Sequence, residues 1–506
     1  MLDQLPRVRG EHATAATLAA VQGILYLSEA TIMKTLGMTQ STCVTCRRIV
    51  PAKVLADDAE GSVYFKCFCP EHGEQQRLIH RDIDMYLRSQ YSIKSALIPQ
   101  IFAGDSTKSC PDGCGFCDRH EQHLCMPIVE ITQRCDLACP ICLVSAGGET
   151  DMMPAEFHNI LDRLIKAEGQ IDILNLSGGE PLLHPDILEL IDDALARPQI
   201  VRVSISTNGL QLLAQPQHKL LKALTKRDVV ISLQFDGFDD NAITTLRGQG
   251  GGLLKQKQKI LNLLAKHETS TSLTMTLAGG VNDHQLAPVL DYYFSQPHIV
   301  SMMIQPIAFT GRATHLTDSI TRLTIPDVLR LLDTAGNPRV KATDFAPLPC
   351  SHPLCFNLAY YLMLDDGRSA PLNKLLDAHK LMDSLANRTV FGLDEQEIDQ
   401  IKDIIYDLWG DPTADESIMK TLRSILDEFA TPPPPASERC PCFDPRRTFG
   451  IAQRRIKSIF IHAFQDAETF DLARVRRCCN AYPLADGRLM PACVYNVRER
   501  GGGRCR

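Results

Sequence analysis

Residues 126–142 read MPIVEITQRCDLACPIC, and residues 171–181 read IDILNLSGGEP. The first stretch starts as an apolar strand and ends in three cysteines spaced Cys135-x3-Cys139-x2-Cys142. The second again sets an apolar run before a turn, here Ser177-Gly178-Gly179-Glu180-Pro181. Strand-like runs continue at VRVSIST (201–207), VVISLQF (229–235), TSLTMTL (271–277) and VSMMIQPI (300–307). Helical patterns separate them: PAEFHNILDRLIKAEG, PDILELIDDALARP, QPQHKLLKALTK, LLKQKQKILNLLAKH and DHQLAPVLDYYF. Strands alternating with helices imply repeated βαβ units and a parallel sheet. Such a sheet closes either as a curved partial barrel or as a flat doubly wound sheet. No G-x-G-x-x-G follows the first strand, which disfavours dinucleotide binding.

Working outward, the chain has 506 residues, too many for one ordinary domain and enough for an α/β barrel with additions at both ends. A net charge of −7 provides no global basic field for nucleic acid or acidic lipid. The unusual feature is 19 cysteines beside one tryptophan. The N-terminus MLDQLPRVRGEH does not read as a signal peptide. The nearest apolar stretch, Ala15 to Leu27, is interrupted by Gln22 and Gly23 and is shorter than the roughly 20 residues of a spanning helix. A cytoplasmic, reducing location is therefore expected, where closely spaced cysteines read as metal ligands rather than disulfides.

Residues 11–40 carry Leu18, Val21, Leu25, Ile32 and Leu36 near one helical face. Packing is the first reading of that face and a peripheral membrane contact the second. The run TPPPPAS at 431–437 is a stiff connector. Arg446, Arg447, Arg454, Arg455 and Lys457 follow it, with Arg474, Arg476 and Arg477 beyond. They read as a solvated basic face, because no aromatic residues interleave to stack bases, and nucleic acid is disfavoured as a partner. The expected organisation is a helical segment (1–40), a metal module (41–100), a cluster segment (101–125), a barrel (126–312), a mostly helical extension (313–430) and a Cys-rich end (431–506).

Cys110-x3-Cys114-x2-Cys117 has the same spacing as the triplet after the first strand, so spacing alone assigns neither. The earlier group gains a fourth thiol at Cys125, enough to close a four-iron cluster. After Cys142 no cysteine appears until Cys350. Three thiolates leave one iron of a four-iron cluster open to another ligand, as in a catalytic zinc site. Upstream, Cys43-x2-Cys46 and Cys67-x-Cys69 are paired knuckles suited to one tetrahedral ion, zinc or rubredoxin-like iron. Cys67 and His72 compete for its last position. Downstream, Cys350, Cys355, one of Cys478 and Cys479, and Cys493 are candidates for a further cluster, with Cys479 taken from the adjacent pair.

The triplet after a first barrel strand resembles the radical S-adenosylmethionine (radical SAM) superfamily. Later landmarks follow in that family's order: Gly178-Gly179-Glu180-Pro181, Ser206-Thr207-Asn208-Gly209, Gln234-Phe235-Asp236-Gly237, Gly279-Gly280-Val281-Asn282 and Gln305-Pro306. The resemblance implies a partial (β/α)6 barrel with a Cys-rich N-terminal metal module and a C-terminal cluster-binding extension. It also implies a 4Fe-4S cluster on Cys135, Cys139 and Cys142 that reductively cleaves S-adenosylmethionine to a 5′-deoxyadenosyl radical. Gly178, Gly179 and Glu180 would meet the amino group of that ligand, and Ser206, Asn208, Gln234 and Asp236 its ribose.

The flanks CVTC…VYFKCFCPEHG, CPDGCGFCDRH and RRCCNAYPLADGRLMPACVYN are similar to one branch of the superfamily. That branch includes tetraether lipid synthases, earlier assigned as dihydropterin methyltransferases. It implies one or two auxiliary 4Fe-4S clusters and a single rubredoxin-like iron or zinc, on Cys110, Cys114, Cys117, Cys125, Cys43, Cys46, Cys67, Cys69, Cys350, Cys355, Cys479 and Cys493. The expected activity is hydrogen abstraction from an unactivated carbon followed by carbon–carbon bond formation on lipid chains. Methylation of a pterin is the enzymatic alternative, and a multi-cluster electron carrier the non-enzymatic one. The expected partners are a small-molecule or lipid substrate and a flavodoxin- or ferredoxin-type electron donor.

Overall fold

The computed structural model describes residues 33–500 except 145, 215, 250, 350, 377–380, 384, 386, 389–394, 410–414 and 432–444. Most of the expected N-terminal helix, most of the proline run, and Cys350, Cys440, Cys442 and Cys505 lie outside the described residues.

The first module is a four-stranded antiparallel sheet: β1 (Lys34–Thr42), β2 (Ile49–Asp57), β3 (Ser62–Cys69) and β4 (Gly73–His80), paired in that order. Residues 34–40 are thus strand where the apolar spacing around Leu36 predicted helix. Thr35, Thr39 and Thr42 are β-branched, and β1 pairs with β2 along its whole length, so the ladder prevails over the helical spacing. Ser41 and Thr42 donate to the carbonyls of Phe470 (2.6 Å) and Ala467 (2.9 Å), docking this sheet on the C-terminal segment.

The core strands are β5 (Met126–Thr132), β6 (Ile171–Gly178), β7 (Ile200–Thr207), β8 (Val230–Gln234), β9 (Thr271–Leu277) and β10 (Ile299–Pro306). All five neighbouring pairs among these six are parallel. Crossover helices include α1 (Pro154–Glu168), α2 (Ile187–Leu195), α3 (Lys219–Lys226), α4 (Asp240–Arg247), α5 (Gly252–Lys266) and α6 (Leu286–Ser295). Their apolar faces, such as Phe157, Ile160, Leu161 and Leu164 of α1, pack into the main core. Spatial order follows chain order without the reversal that marks a doubly wound sheet, so the partial-barrel closure is the one adopted.

Beyond residue 312 the expected helical extension is present as α7 (Glu395–Trp409) and α8 (Glu416–Ala430). The same region also supplies strands that the fading pattern did not predict. These are β11 (Ala346–Pro347), β12 (Phe356–Met363), β13 (Ser369–Pro371), β14 (Ile456–His462), β15 (Asn480–Pro483) and β16 (Leu489–Pro491). β14 pairs parallel to β10, β12 pairs antiparallel to β14, and β15 pairs parallel to β5. Both open edges of the six-stranded core are thereby covered. Phe464, just past β14, packs in one apolar cluster with Ile128 of β5 and Tyr482 of β15, so the sheet curls until its two sides meet.

Of the basic residues after the proline run, Arg454 is exposed as expected, but the others do not form a solvated face. The helix α9 (Pro445–Arg455) carries Arg446, which donates to the carbonyls of Leu195 (3.1 Å), Arg197 (2.7 Å) and Ile200 (2.7 Å). Lys457 is buried, donating to the carbonyls of Tyr293 (3.0 Å) and Gln296 (2.8 Å), and Arg474 is buried beside Cys355. These cations attach the C-terminal region to the barrel. No described helix is long and apolar enough to cross a membrane.

Candidate functional site

The curled sheet encloses a cavity of about 410 Å³ whose lining runs from the C-terminal ends of its parallel strands, at Ser177, Ser206 and Gln234, toward their N-terminal ends. Cys135, Cys139 and Cys142, on the loop after β5, all line it, and no other described cysteine does. Several groups fix this loop. Ile141 inserts into an apolar cluster with Leu246, Ile307 and Phe309. The Cys142 amide donates to the Cys139 carbonyl (3.3 Å), and the Arg312 amide donates to the Cys142 carbonyl (3.0 Å). Burial, with the neighbouring Glu180, Asp136 and Cys139 charges, pushes the Cys135 thiol up to about 11. A bound cation would reverse that balance. Three sulfurs facing one cavity, with no fourth among the lining residues, fit an iron–sulfur cluster having one iron left for another ligand.

Gly178 and Gly179 also line the cavity, but the structure gives a different reason for glycine there. A Cβ on Gly178 would lie 2.2 Å from the Thr132 carbonyl oxygen, and one on Gly179 would lie 2.1 Å from that of Arg134. The Gly179 amide donates to Thr132 (2.8 Å), and the Glu180 amide to Arg134 (2.7 Å). The glycines therefore let the end of β6 lie directly against the start of the cysteine loop.

Glu180 is 1% exposed and its carboxylate is already engaged. It accepts from the Thr207 hydroxyl (2.6 Å) and from the amides of Leu182 (3.1 Å) and Asn208 (2.7 Å). Burial outweighs these bonds and pushes its carboxyl up to about 7. Asn208 donates to Asp136 (2.6 Å), beside Cys135, and accepts from the Leu210 amide (2.8 Å). Ser206 donates to Asn175 (3.1 Å) and still lines the cavity. Gln234 lines the cavity too, and accepts from Lys257 (2.9 Å).

Asp236 departs from its expected role as a ribose partner. It is absent from the cavity wall and 1% exposed, gripped by Arg247 through Nε (2.7 Å) and Nη2 (2.9 Å). A carboxylate buried this deeply needs a charge partner, and the fork of Arg247 meets it with two bonds. Arg247 itself reaches the cavity wall. Sequence reasoning missed Arg247, Asp136, Asn175 and the fully buried Lys257. The signal for Asn175 was present, since Asn175, Ser204 and Ser232 alternate with apolar residues along strands that should be apolar throughout.

In the N-terminal sheet, the ligand atoms of Cys43, Cys46, Cys69 and His72 all lie within 4.8 Å of one another. Cys46 and Cys69 sulfurs are 3.8 Å apart, and His72 Nδ1 lies 3.6 Å from the Cys43 sulfur and 3.5 Å from that of Cys69. A tetrahedron around an ion with bonds of about 2.3 Å has edges of about 3.8 Å, so this set fits zinc or iron. Backbone and Gln75 hydrogen bonds, working against burial, bring the Cys43 thiol down to about 6. Cys67 stands outside the set, with Arg77 donating to its sulfur at 3.1 Å. It is two residues back along β3, about 6.6 Å away on the same face, which is why spacing could not separate it from Cys69. His72→Ala is expected to lose most of the metal bound by this module, and Cys67→Ser to keep it, as measured by metal analysis of the purified chain. The opposite pattern would restore the four-cysteine set.

Burial raises the Cys110 and Cys114 thiols, the nearby Cys117 charge adds to both, and that of Cys110 adds to Cys114. Cys125, expected as their fourth partner, packs instead in the apolar cluster of Cys355 and Cys479, and its amide donates to the Cys479 carbonyl (2.9 Å). Cys478 and Cys493 belong to that neighbourhood as well. Burial and the charges of Cys493, Cys479 and Cys355 raise the Cys478 thiol. Cys355 accepts from Arg474 (3.3 Å), and Cys493 from the Gln465 amide (3.3 Å).

Residues 129–293 match the Radical SAM superfamily, and residues 35–81 match the HMPTM N-terminal zinc ribbon domain. The chain is 27% identical over 502 residues to the 7,8-dihydro-6-hydroxymethylpterin dimethyltransferase of Methanocaldococcus jannaschii, covering 91% of this chain and 94% of that protein. It is 30% identical over 184 residues to the GTP 3′,8-cyclase of Moorella thermoacetica, covering 35% of this chain and 55% of the cyclase. Among solved structures, Streptococcus suis SuiB bound to its precursor peptide SuiA aligns with a TM-score of 0.36 and 16% identity, over 42% of this chain and 46% of SuiB. The chain thus spans about half the length of the cyclase and of SuiB. With three cysteines at the mouth of a parallel-strand barrel and the superfamily match across that barrel, residues 129–293 are a radical SAM domain and the protein is a radical SAM enzyme.

Proposed function

We propose that this enzyme abstracts hydrogen from an unactivated carbon on each of two lipid-like chains, each abstraction consuming one S-adenosylmethionine and one electron, and joins the two carbons in a carbon–carbon bond. The observation that carries this reading is the lower half of the cavity. Below Gln234 and Thr276 the wall is uncharged: Val230, Val300, Ile456, Tyr360 and Phe449 share it with small hydroxyl residues and the amides of Asn175, Gln453 and Asn480. The charged lining residues, Glu180 and Arg247, lie at the upper end, together with His462, whose imidazole burial holds neutral at about 3. A nucleoside triphosphate would find no described lysine or arginine along the lower wall, whereas an apolar chain meets surface of its own kind.

A four-iron cluster on Cys135, Cys139 and Cys142 supplies, when bound, an electron to S-adenosylmethionine and with it the power to break C–H bonds that acid–base groups cannot. The chain's own residues provide the setting. Gly178, Gly179 and Glu180 hold β6 against the cysteine loop. Asn208 ties that loop to β7 through Asp136, and Ser206 and Gln234 present polar atoms for a ribose. Asp236 orients Arg247 toward the cavity mouth. Cys110, Cys114 and Cys117, and the group of Cys125, Cys355, Cys478, Cys479 and Cys493, are the candidates for auxiliary clusters. A flavodoxin- or ferredoxin-type protein is the electron donor.

Methylation of a pterin is the second reading, favoured by the similarity to an enzyme named for that substrate across 91% of this chain. Deuterium transfer separates the two. Reconstituted protein with S-adenosylmethionine, a reductant and a chain-deuterated phospholipid is expected to yield deuterated 5′-deoxyadenosine and a coupled lipid. Deuterium arriving from a labelled 6-hydroxymethyl-dihydropterin, with none from the lipid, would replace the first reading by the second.

A further inference from the structure

The interior of a parallel barrel is ordinarily filled by layers of bulky branched side chains. Here the inward positions are small and polar, and their hydroxyls satisfy one another across the strands. Ser204 donates to Asn175 (2.9 Å), Ser301 donates to Ser272 (2.7 Å), and Ser232 pairs with Thr274 (3.1 Å). These hydroxyls are paired within the wall and make little demand for a polar occupant, although the Asn480 side-chain amide nitrogen, also on the wall, has no partner there. On β8 alone the lining runs from Gln234 at the mouth to Val230, four residues or ~13 Å.

At the N-terminal ends of the strands, where Val230 and Ile456 line the cavity, the helix α9 also contributes to the wall through Phe449, Ala452 and Gln453. The helix is firmly held at the N-terminal ends of the strands. Arg446 donates to carbonyls at the end of α2, in the following turn and at the start of β7, as described above. Arg202 of β7 donates to the Gln453 amide oxygen and lies over the Phe449 ring, 5.0 Å from its centroid. Phe449 also packs on Val201. Two arginines thus anchor this floor to the barrel.

The geometry points to Phe449 as the residue that sets the longest chain segment the barrel accepts. This rests on the lipid-chain reading above. Each methylene added to a chain inside the bore gains contact with its wall, until the leading carbon meets the ring. Beyond that length the extra carbons must stay outside and contribute nothing.

The test measures binding of straight-chain 1-alkanols of increasing length to the reconstituted holoenzyme by calorimetry. Native affinity is expected to rise about fourfold per methylene and then to level off at a defined length. At the first length beyond that break, Phe449→Ala should bind about fourfold or more tighter than the native chain, because the added methylene is again buried. Ala452→Leu keeps the Phe449 packing and narrows the floor from the cavity side, so its break should fall at a shorter length. Iron content and circular dichroism verify that each variant is folded and loaded, and Ala452→Leu decides the matter if Phe449→Ala is not. Length-dependent binding whose break is the same in the native chain and the folded variants overturns the role of Phe449 and leaves the chain substrate standing. Absence of any length-dependent binding overturns both.

Discussion

Cys135→Ala is expected to bring reductive cleavage of S-adenosylmethionine to background and to remove about four irons from the reconstituted chain. The argument is one of donor count. Cys135, Cys139 and Cys142 are the only described thiols on the cavity wall, so no described thiol there can take the vacated position. The loop itself does not depend on the lost sulfur. Ile141 still occupies its apolar cluster, the Arg312 amide still donates to Cys142, and Asn208 still holds Asp136. Circular dichroism and the thermal transition should therefore change little while 5′-deoxyadenosine formation disappears. Cleavage continuing at a sizeable fraction of the native rate would remove the triplet from the role assigned to it.

Asp236→Ala has the largest effect expected on folding itself. The pair it breaks is almost completely buried, with Asp236 1% and Arg247 9% exposed. Truncation leaves the guanidinium without its carboxylate, and removing one partner of such a pair costs about 3–5 kcal/mol. It also orphans the Thr276 amide, which donates to Asp236 at 3.0 Å. Against a typical net stability of about 5–15 kcal/mol this is a large fraction, visible as a marked fall in the denaturant midpoint. The double replacement Asp236→Leu with Arg247→Met removes both charges and fills the space, so it should fold far better than the single variant. A single variant as stable as the native chain would mean that the pair does not hold the ends of β8 and β9.

How much of this was legible beforehand depends on how local each feature is. The six core strands were readable because each announces itself by an apolar run and a following turn. The cysteine triplet and Ser177-Gly178-Gly179-Glu180-Pro181 were equally local, which is why the mouth of the cavity was found. The run FNLAYYLM of β12 is no less apolar, yet nothing in it says that it will lie antiparallel to β14, some ninety residues further along the chain, rather than form a separate layer. That choice belongs to the open edge at β10.

The site divides in the same way. Position along the chain placed Asp236 at the end of a strand with Ser206 and Gln234. Whether a side chain there faces a ligand or a buried arginine depends on what α4 presents to it, and α4 presents Arg247. Cys67 and Cys69 share one face of β3, so only the turn bringing His72 back toward Cys43 decides between them. Spacing likewise put Cys125 with Cys110, but Cys479 arrives from more than three hundred residues away and takes its amide. The sequence alone thus determined the kind of chemistry, because an open three-thiol site and its glycine turn are short-range patterns. Tertiary structure decided what that chemistry can reach. The bore is defined by serines on separate strands that satisfy one another and by a floor helix from the far end of the chain, contacts that exist only once the sheet has curled.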